Sequence, residues 1–166
     1  MVITIIKTLI ITFFLFLLNS CSNFKPLYKN DLNSLYKLQE FSIVTDKKKI
    51  SKKIKKSLIE LFPNNKKTQY ILKIEGFSET SGTVSDTTRK ISRYKTQVSA
   101  EVKLYQRYKK YDKLIYEFDV KRDASYSLIL NNIRSTITSK TNAESTSIRL
   151  LSEEIYRRLL LFFSKS

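Results

Sequence analysis

Between Tyr70 and Lys121 the chain alternates apolar and polar side chains in three separate runs, and that period constrains the fold more than any other feature. Tyr70, Leu72 and Ile74 alternate with Ile71, Lys73 and Glu75. Val98, Ala100, Val102 and Leu104 alternate with Ser99, Glu101 and Lys103. Leu114, Tyr116, Phe118 and Val120 alternate with Ile115, Glu117, Asp119 and Lys121. Successive strand side chains point to opposite faces, so each run predicts a strand with one apolar and one mostly polar face. Alternation of this kind suits an antiparallel or mixed sheet covered on one side; a sheet buried on both faces reads as continuous apolar runs. Gln106 to Lys113 joins the last two runs, a length that suits an antiparallel hairpin.

Phe41 to Val44 reads as a further short strand, ending at Asp46. Ile50, Ile54, Leu58 and Leu61 then recur at helical spacing, with Lys52, Lys53, Lys55 and Lys56 opposite or flanking, and Pro63-Asn64-Asn65 ends that helix. A second helix is predicted near the C-terminus, capped by Thr141 or Asn142, with Ile148, Leu151, Ile155, Leu159 and Phe162 as its apolar stripe. Its last turns, Leu159 to Phe163, are apolar all round and require burial, ordinarily by closing the core and otherwise against a partner. The expected fold is α+β: a four-stranded antiparallel or mixed sheet with two amphipathic helices on one face, in the order β-α-β-β-β-α.

The N-terminus carries a different message. Lys7 lies in a short positive region, Leu9 to Leu18 is apolar apart from Thr12, and Leu18-Asn19-Ser20 leads into Cys21, the only cysteine. Spanning a bilayer takes about 20 apolar residues. The shorter stretch has the length of the apolar core of a signal peptide. Residues 1–20 are therefore read as a cleaved lipoprotein signal, 21–38 as a lipidated tether and 39–166 as one α+β domain. The competing readings are an uncleaved anchor over Val2 to Leu18, against which Lys7 counts, and a core cysteine, against which the polar Ser22, Asn23 and Lys25 count. Two or more acyl chains on Cys21 hold a protein to a membrane without a transmembrane helix. Ser22, where an Asp would mark inner-membrane retention, favours the outer membrane, on its periplasmic side.

Composition narrows the function. The chain has 31 Lys and Arg against 15 Asp and Glu, a formal net charge of +16, which suggests an anionic partner. Part of that excess has a compositional origin, since the chain is rich in Lys, Ile, Asn and Ser. Nucleic acid is opposed by the export signal. There is no His, no second Cys, and only Gly76 and Gly82 among glycines. This composition offers no His–Cys metal set, imidazole base, thiol nucleophile in the mature chain or glycine-rich phosphate loop. Glu153-Glu154 as an acid/base pair is weaker than a solvated face, because adjacent helix positions diverge. No enzyme, metal or cofactor is expected.

Tyr105-Gln106-Arg107-Tyr108-Lys109-Lys110-Tyr111-Asp112-Lys113 interleaves aromatics with cations, a pattern that stacks on sugars and pairs with phosphates. Arg89, Lys90, Arg93 and Lys95 form a second basic run, with Arg93 and Lys95 on one face of a strand. Solvated surface is the ordinary explanation for both. Arg89, Arg93, Lys95, Arg107, Lys109 and Lys110 are thus the candidate contacts. Phe24, Pro26, Leu27 and Tyr28 are candidates for docking the tether, with local packing on the domain as the alternative.

Cys21-Ser22-Asn23-Phe24-Lys25-Pro26-Leu27-Tyr28 resembles the start of the lipopolysaccharide-assembly lipoprotein family LptE in its alphaproteobacterial form, where the lipidated cysteine leads into Gly-Phe-Arg-Pro-Leu-Tyr. Here one residue is inserted, the Gly is absent and Lys replaces Arg. Element order and the passage from Ala124-Ser125-Tyr126 to Ala143, Glu144 and the last helix are similar to that family across the mature chain. The resemblance implies a non-enzymatic outer-membrane lipoprotein that plugs a large LptD-like β-barrel and helps place lipopolysaccharide at the outer surface. Its partners would be the barrel, lipopolysaccharide and, through the N-terminal lipid, the membrane. The alternative is a stand-alone basic periplasmic lipoprotein that binds an anionic glycolipid or polymer.

Overall fold

A computed structural model describes residues 37–38, 40–62, 68–84, 91–128 and 132–165. The elements are β1 (Phe41–Thr45), α1 (Lys49–Leu61), β2 (Tyr70–Val84), β3 (Ile91–Arg107), β4 (Asp112–Ser127) and α2 (Ile133–Ser164). They form a four-stranded sheet in the order β1-β2-β3-β4. α1 carries the chain back across the sheet, so β1 pairs in parallel with β2, Phe41 opposite Tyr70 and Thr45 opposite Ile74. The other two pairings are antiparallel. The expected mixed sheet with two helices is the fold observed.

One sheet face carries the core. Leu72 lies opposite Leu104 and Ile74 opposite Val102, while Ala100 faces Val120 and Val102 faces Phe118. Ile54 and Leu58 of α1 and Leu151, Ile155 and Leu159 of α2 close over this face and are wholly buried. Each such side chain contributes about 2 kcal/mol by leaving water. The apolar end of α2 closes the same core: Phe163 meets Tyr70 edge-on at 5.1 Å and Phe162 stacks on Tyr116 at 4.6 Å. Leu38, at the end of the segment read as tether, is itself fully buried in this core.

α1 approaches β2 closely because Gly76 has no side chain. A Cβ there would sit 2.7 Å from Ile54 Cδ1 and 3.3 Å from Ser51 Cα. β1 stops at Thr45, opposite Ile74, so the Gly76 N–H lies past the paired segment, and it donates to Ser51 Oγ at 2.8 Å. The Ser51 hydroxyl hydrogen-bonds Asp46, and with Lys48 it holds that carboxyl below its ordinary value.

Three expectations are corrected. First, the strands run well past the alternating segments: β2 continues to Val84, β3 starts at Ile91 and β4 continues to Ser127. The added residues are mostly Ser, Thr and charged side chains, with aliphatics only at Val84, Ile91 and Ala124, so the ladder persists where the apolar pattern does not. Thr80 and Thr96 face each other and Tyr94 stacks on Tyr126 at 5.5 Å. Second, α2 begins at Ile133 rather than near Thr141. Its cap is Asn132, whose side chain accepts from Ser135 N at 3.0 Å. Thr141 lies inside the helix and its hydroxyl donates to the Ile137 carbonyl. The first turns bury nothing, and Ile133 and Ile137 are exposed, so an apolar stripe could not reveal them. Third, Leu114 is not on the core face. Leu104 pairs with Tyr116 but Tyr105 pairs with Leu114, leaving Ile115 as an extra residue. That bulge turns Leu114 to the open face, because a one-residue slip reverses the side a strand residue points to.

Candidate functional site

The turn between β3 and β4 is tighter than the sequence suggested. Arg107 still belongs to β3, and Asp112 and Lys113 already belong to β4, so the loop is Tyr108 to Tyr111. Tyr108 N donates to the Tyr111 carbonyl at 3.0 Å, and the two rings stack 5.2 Å apart. Both stay exposed, Tyr111 at 63% and Tyr108 at 42%, and Leu114, opposite Tyr105 on the open face, is exposed at 43%. Lys109 and Lys110 are exposed at the apex. Arg107 is steadied by Thr68 Oγ1 at 3.1 Å and lies 4.0 Å from Asp112. The tip thus presents an aromatic pair that packs on itself, ringed by cations.

This tip lies at the end of the sheet where the described chain begins. Tyr70, which pairs with Gln106, receives the chain by donating its N–H to the Glu40 carbonyl. Arg107 N donates to the Gln69 carbonyl. Burial raises the Tyr70 hydroxyl pKa above its ordinary value, and the nearby Glu40 and Tyr108 push it the same way. Lys37 sits 5.5 Å from the Phe163 ring, and α2 finishes at the same end with Lys165.

The second basic run is elsewhere. Arg93 pairs with Ser127 and Lys95 with Ser125, both on the open face as alternation required. Twelve residues of strand separate Lys95 from Arg107, roughly 40 Å at about 3.4 Å per residue. The two groups therefore do not converge on one ligand. Lys95 is already paired with Asp123 at 3.2 Å. Arg89 and Lys90 lie outside the described residues, as do Cys21, Phe24, Pro26, Leu27 and Tyr28.

Glu154 departs from the solvated-face expectation. Its side chain is 7% exposed and is held by Arg122 at 2.9 Å, Arg157 at 2.7 Å and Arg158 at 3.0 Å. Burial pushes its carboxyl upward, but the hydrogen bonds from Arg157 and Arg158 and the charge of Arg122 more than offset that, leaving it below its ordinary value. This cluster ties α2 to β4. Helical spacing on α2 places Glu154 beside Leu151 and Ile155, but Arg122 reaches it only through the fold. Glu153 is exposed and pairs with Arg149. Among the described residues, no group of three or more His, Cys, Asp or Glu side chains is arranged to hold a metal ion, and no helix is long and apolar enough to cross a membrane. A cleft of about 420 Å³ lies between the end of β4 and α2 and is lined by Ser125, Tyr126, Ser139, Asn142 and their neighbours.

No protein-family profile and no curated protein sequence matches the chain. Solved structures do. A candidate lipoprotein from Caulobacter crescentus superposes with a TM-score of 0.65 at 11% identity, over 80% of this chain and 96% of that one. Rare lipoprotein B from Shewanella oneidensis gives 0.57 at 10% identity, over 75% and 96%. An uncharacterised lipoprotein B from Nitrosomonas europaea gives 0.57 at 11% identity, over 75% and 83%. At these identities the fold is what is shared.

Proposed function

We propose that this protein is an outer-membrane lipoprotein, anchored through Cys21 on the periplasmic side. In this reading it seats in a large LptD-like β-barrel and helps assemble lipopolysaccharide at the cell surface. The observation that carries the reading is that a β-α-β-β-β-α domain, the fold of lipoprotein B, follows a Leu-Asn-Ser-Cys lipidation sequence in the same chain. The physical character of the domain supports it. Its open sheet face is a charged mosaic: Lys103 bridges Glu101 and Glu117, which raise its pKa above the ordinary lysine value. Such a face suits the polar interior of a wide barrel, where partner surfaces are wet and hydrogen-bonded.

The test is affinity purification of the tagged protein from detergent-solubilised outer membrane, beside a Cys21→Ser version. One large β-barrel recovered at near-equal stoichiometry is the expected result. Recovery of the lipidated protein alone would refute the barrel partnership and leave the glycolipid-binding alternative, which the exposed cationic tip favours.

A further inference from the structure

We propose that the β3–β4 hairpin tip rests on the anionic phospholipid surface of the membrane to which the protein is anchored, and so orients the domain. The inference rests on the anchoring half of the function proposed above, not on the barrel. Three independent observations meet at this end of the fold. The exposed surface here is amphipathic: Tyr108, Tyr111 and Leu114 stand clear of the core, although tyrosines elsewhere, such as Tyr70, pack into it. Tyrosine rings with a polar tip settle at the headgroup level of a bilayer.

The second observation is charge. Lys37, Arg107, Lys109, Lys110, Lys113 and Lys165 lie at this end, and the acids there are Glu40, Asp112 and Glu60, two residues before the Phe62 ring that stacks on Phe41. Clusters of Lys and Arg close to a bilayer are drawn to anionic headgroups within about a Debye length. The third is the position of Lys37, the first of the described residues. Cys21 precedes Lys37 by sixteen residues, a span of at most about 55 Å when fully extended, and Lys37 lies at the tip's end of the sheet. A lipid on Cys21 therefore holds this end at high effective concentration near the leaflet, where even weak headgroup contacts suffice. The Arg93–Lys95 group lies at the far end of β3 and takes no part.

The chain contains no Trp, so a single substitution makes a clean reporter. The full-length protein carrying Tyr111→Trp would be reconstituted into vesicles of phosphatidylglycerol and phosphatidylcholine, or of phosphatidylcholine alone, with brominated acyl chains as quencher. A Phe77→Trp protein is the comparison, because Phe77 is exposed on the open face eight residues along the ladder from Arg107, opposite Ser99. The expected result is a blue-shifted, bromine-quenched signal for Tyr111→Trp in the anionic vesicles only. It should be lost on adding Lys109→Glu and Lys110→Glu, and absent for Phe77→Trp. A Tyr111→Trp signal that stays solvent-like in every vesicle overturns the proposal, as does equal quenching at both positions. A response to lipopolysaccharide aggregates without one to phosphatidylglycerol also overturns it. Mass spectrometry of the N-terminal peptide reads lipidation separately: an unacylated Cys21 sinks the anchoring, whereas a solvent-exposed tip on an acylated protein sinks only the orientation.

Discussion

Replacing Glu154 tests whether one buried carboxylate ties the long helix to the sheet. Glu154→Ala leaves Arg122, Arg157 and Arg158 facing one another without their shared acceptor. Breaking a fully buried pair costs about 3–5 kcal/mol, and an exposed pair about 0–1 kcal/mol. This cluster lies between those limits, because the carboxylate is 7% exposed but the arginines are 42%, 64% and 38% exposed and regain water when released. The expected loss is about 2 kcal/mol, which lowers the Tm by roughly 4–8 °C in a chain of this size. Glu153→Ala, which removes only the exposed helix pair with Arg149, should cost about 0.3–0.5 kcal/mol. Denaturant unfolding followed by circular dichroism measures both. The pH dependence supplies a second arm. A carboxyl whose folded pKa is depressed stabilises above its unfolded pKa, and that contribution is lost as pH falls through the folded value. For Glu154 the loss begins below about the ordinary 4.5, and Glu154→Gln should lack that part of the acid limb. If Glu154→Ala matched Glu153→Ala, or if Glu154→Gln kept the full acid limb, the argument for a stabilising buried carboxylate would be wrong.

Gly76→Ala forces a Cβ against Ile54 and the Ser51 backbone, so it should destabilise by about 1–3 kcal/mol in a urea titration, the usual cost of overpacking. Gly82→Ala, in the same strand, serves as its comparison. Asn132→Ala removes the acceptor for Ser135 N and should cost about 1 kcal/mol, with faster amide exchange confined to the first turns of α2. Phe163→Ala empties a site between Phe41, Tyr70 and Phe162 and should cost about 3–5 kcal/mol, read as a lower Tm. Cys21→Ser should shift the protein out of the acylated membrane fraction in a phase-partition assay; unchanged partitioning would favour an uncleaved apolar anchor.

The legible parts of the fold were those where burial writes a pattern. Leu72, Ile74, Val98, Val102 and Leu104 alternate because one side of each strand meets a helix, and Ile54 and Leu58 recur at helical spacing for the same reason. Beyond the core the signal fades, because hydrogen-bonded backbone alone does not constrain side-chain type. The Ser- and Thr-rich end of β2, the polar start of β3 and the first turns of α2 are regular structure with no apolar stripe to report it. The bulge at Ile115 was illegible for another reason: its sequence alternates through the slip, and only the pairing partner reveals it.

The class of the fold, the order of its elements, most core residues and the cationic, tyrosine-bearing hairpin are all readable from the residues alone. Each follows from local chemistry: the period of burial, the spacing of turns, the composition of a loop. Which distant residues meet is set by the packed fold. It placed Arg122 beneath Glu154, put the hairpin tip beside the start of the described chain, and set Lys95 a strand's length from Arg107. Those outcomes depend on strand register and on where α2 crosses the sheet, which are set by the packing of distant residues and leave no periodic trace in the chain.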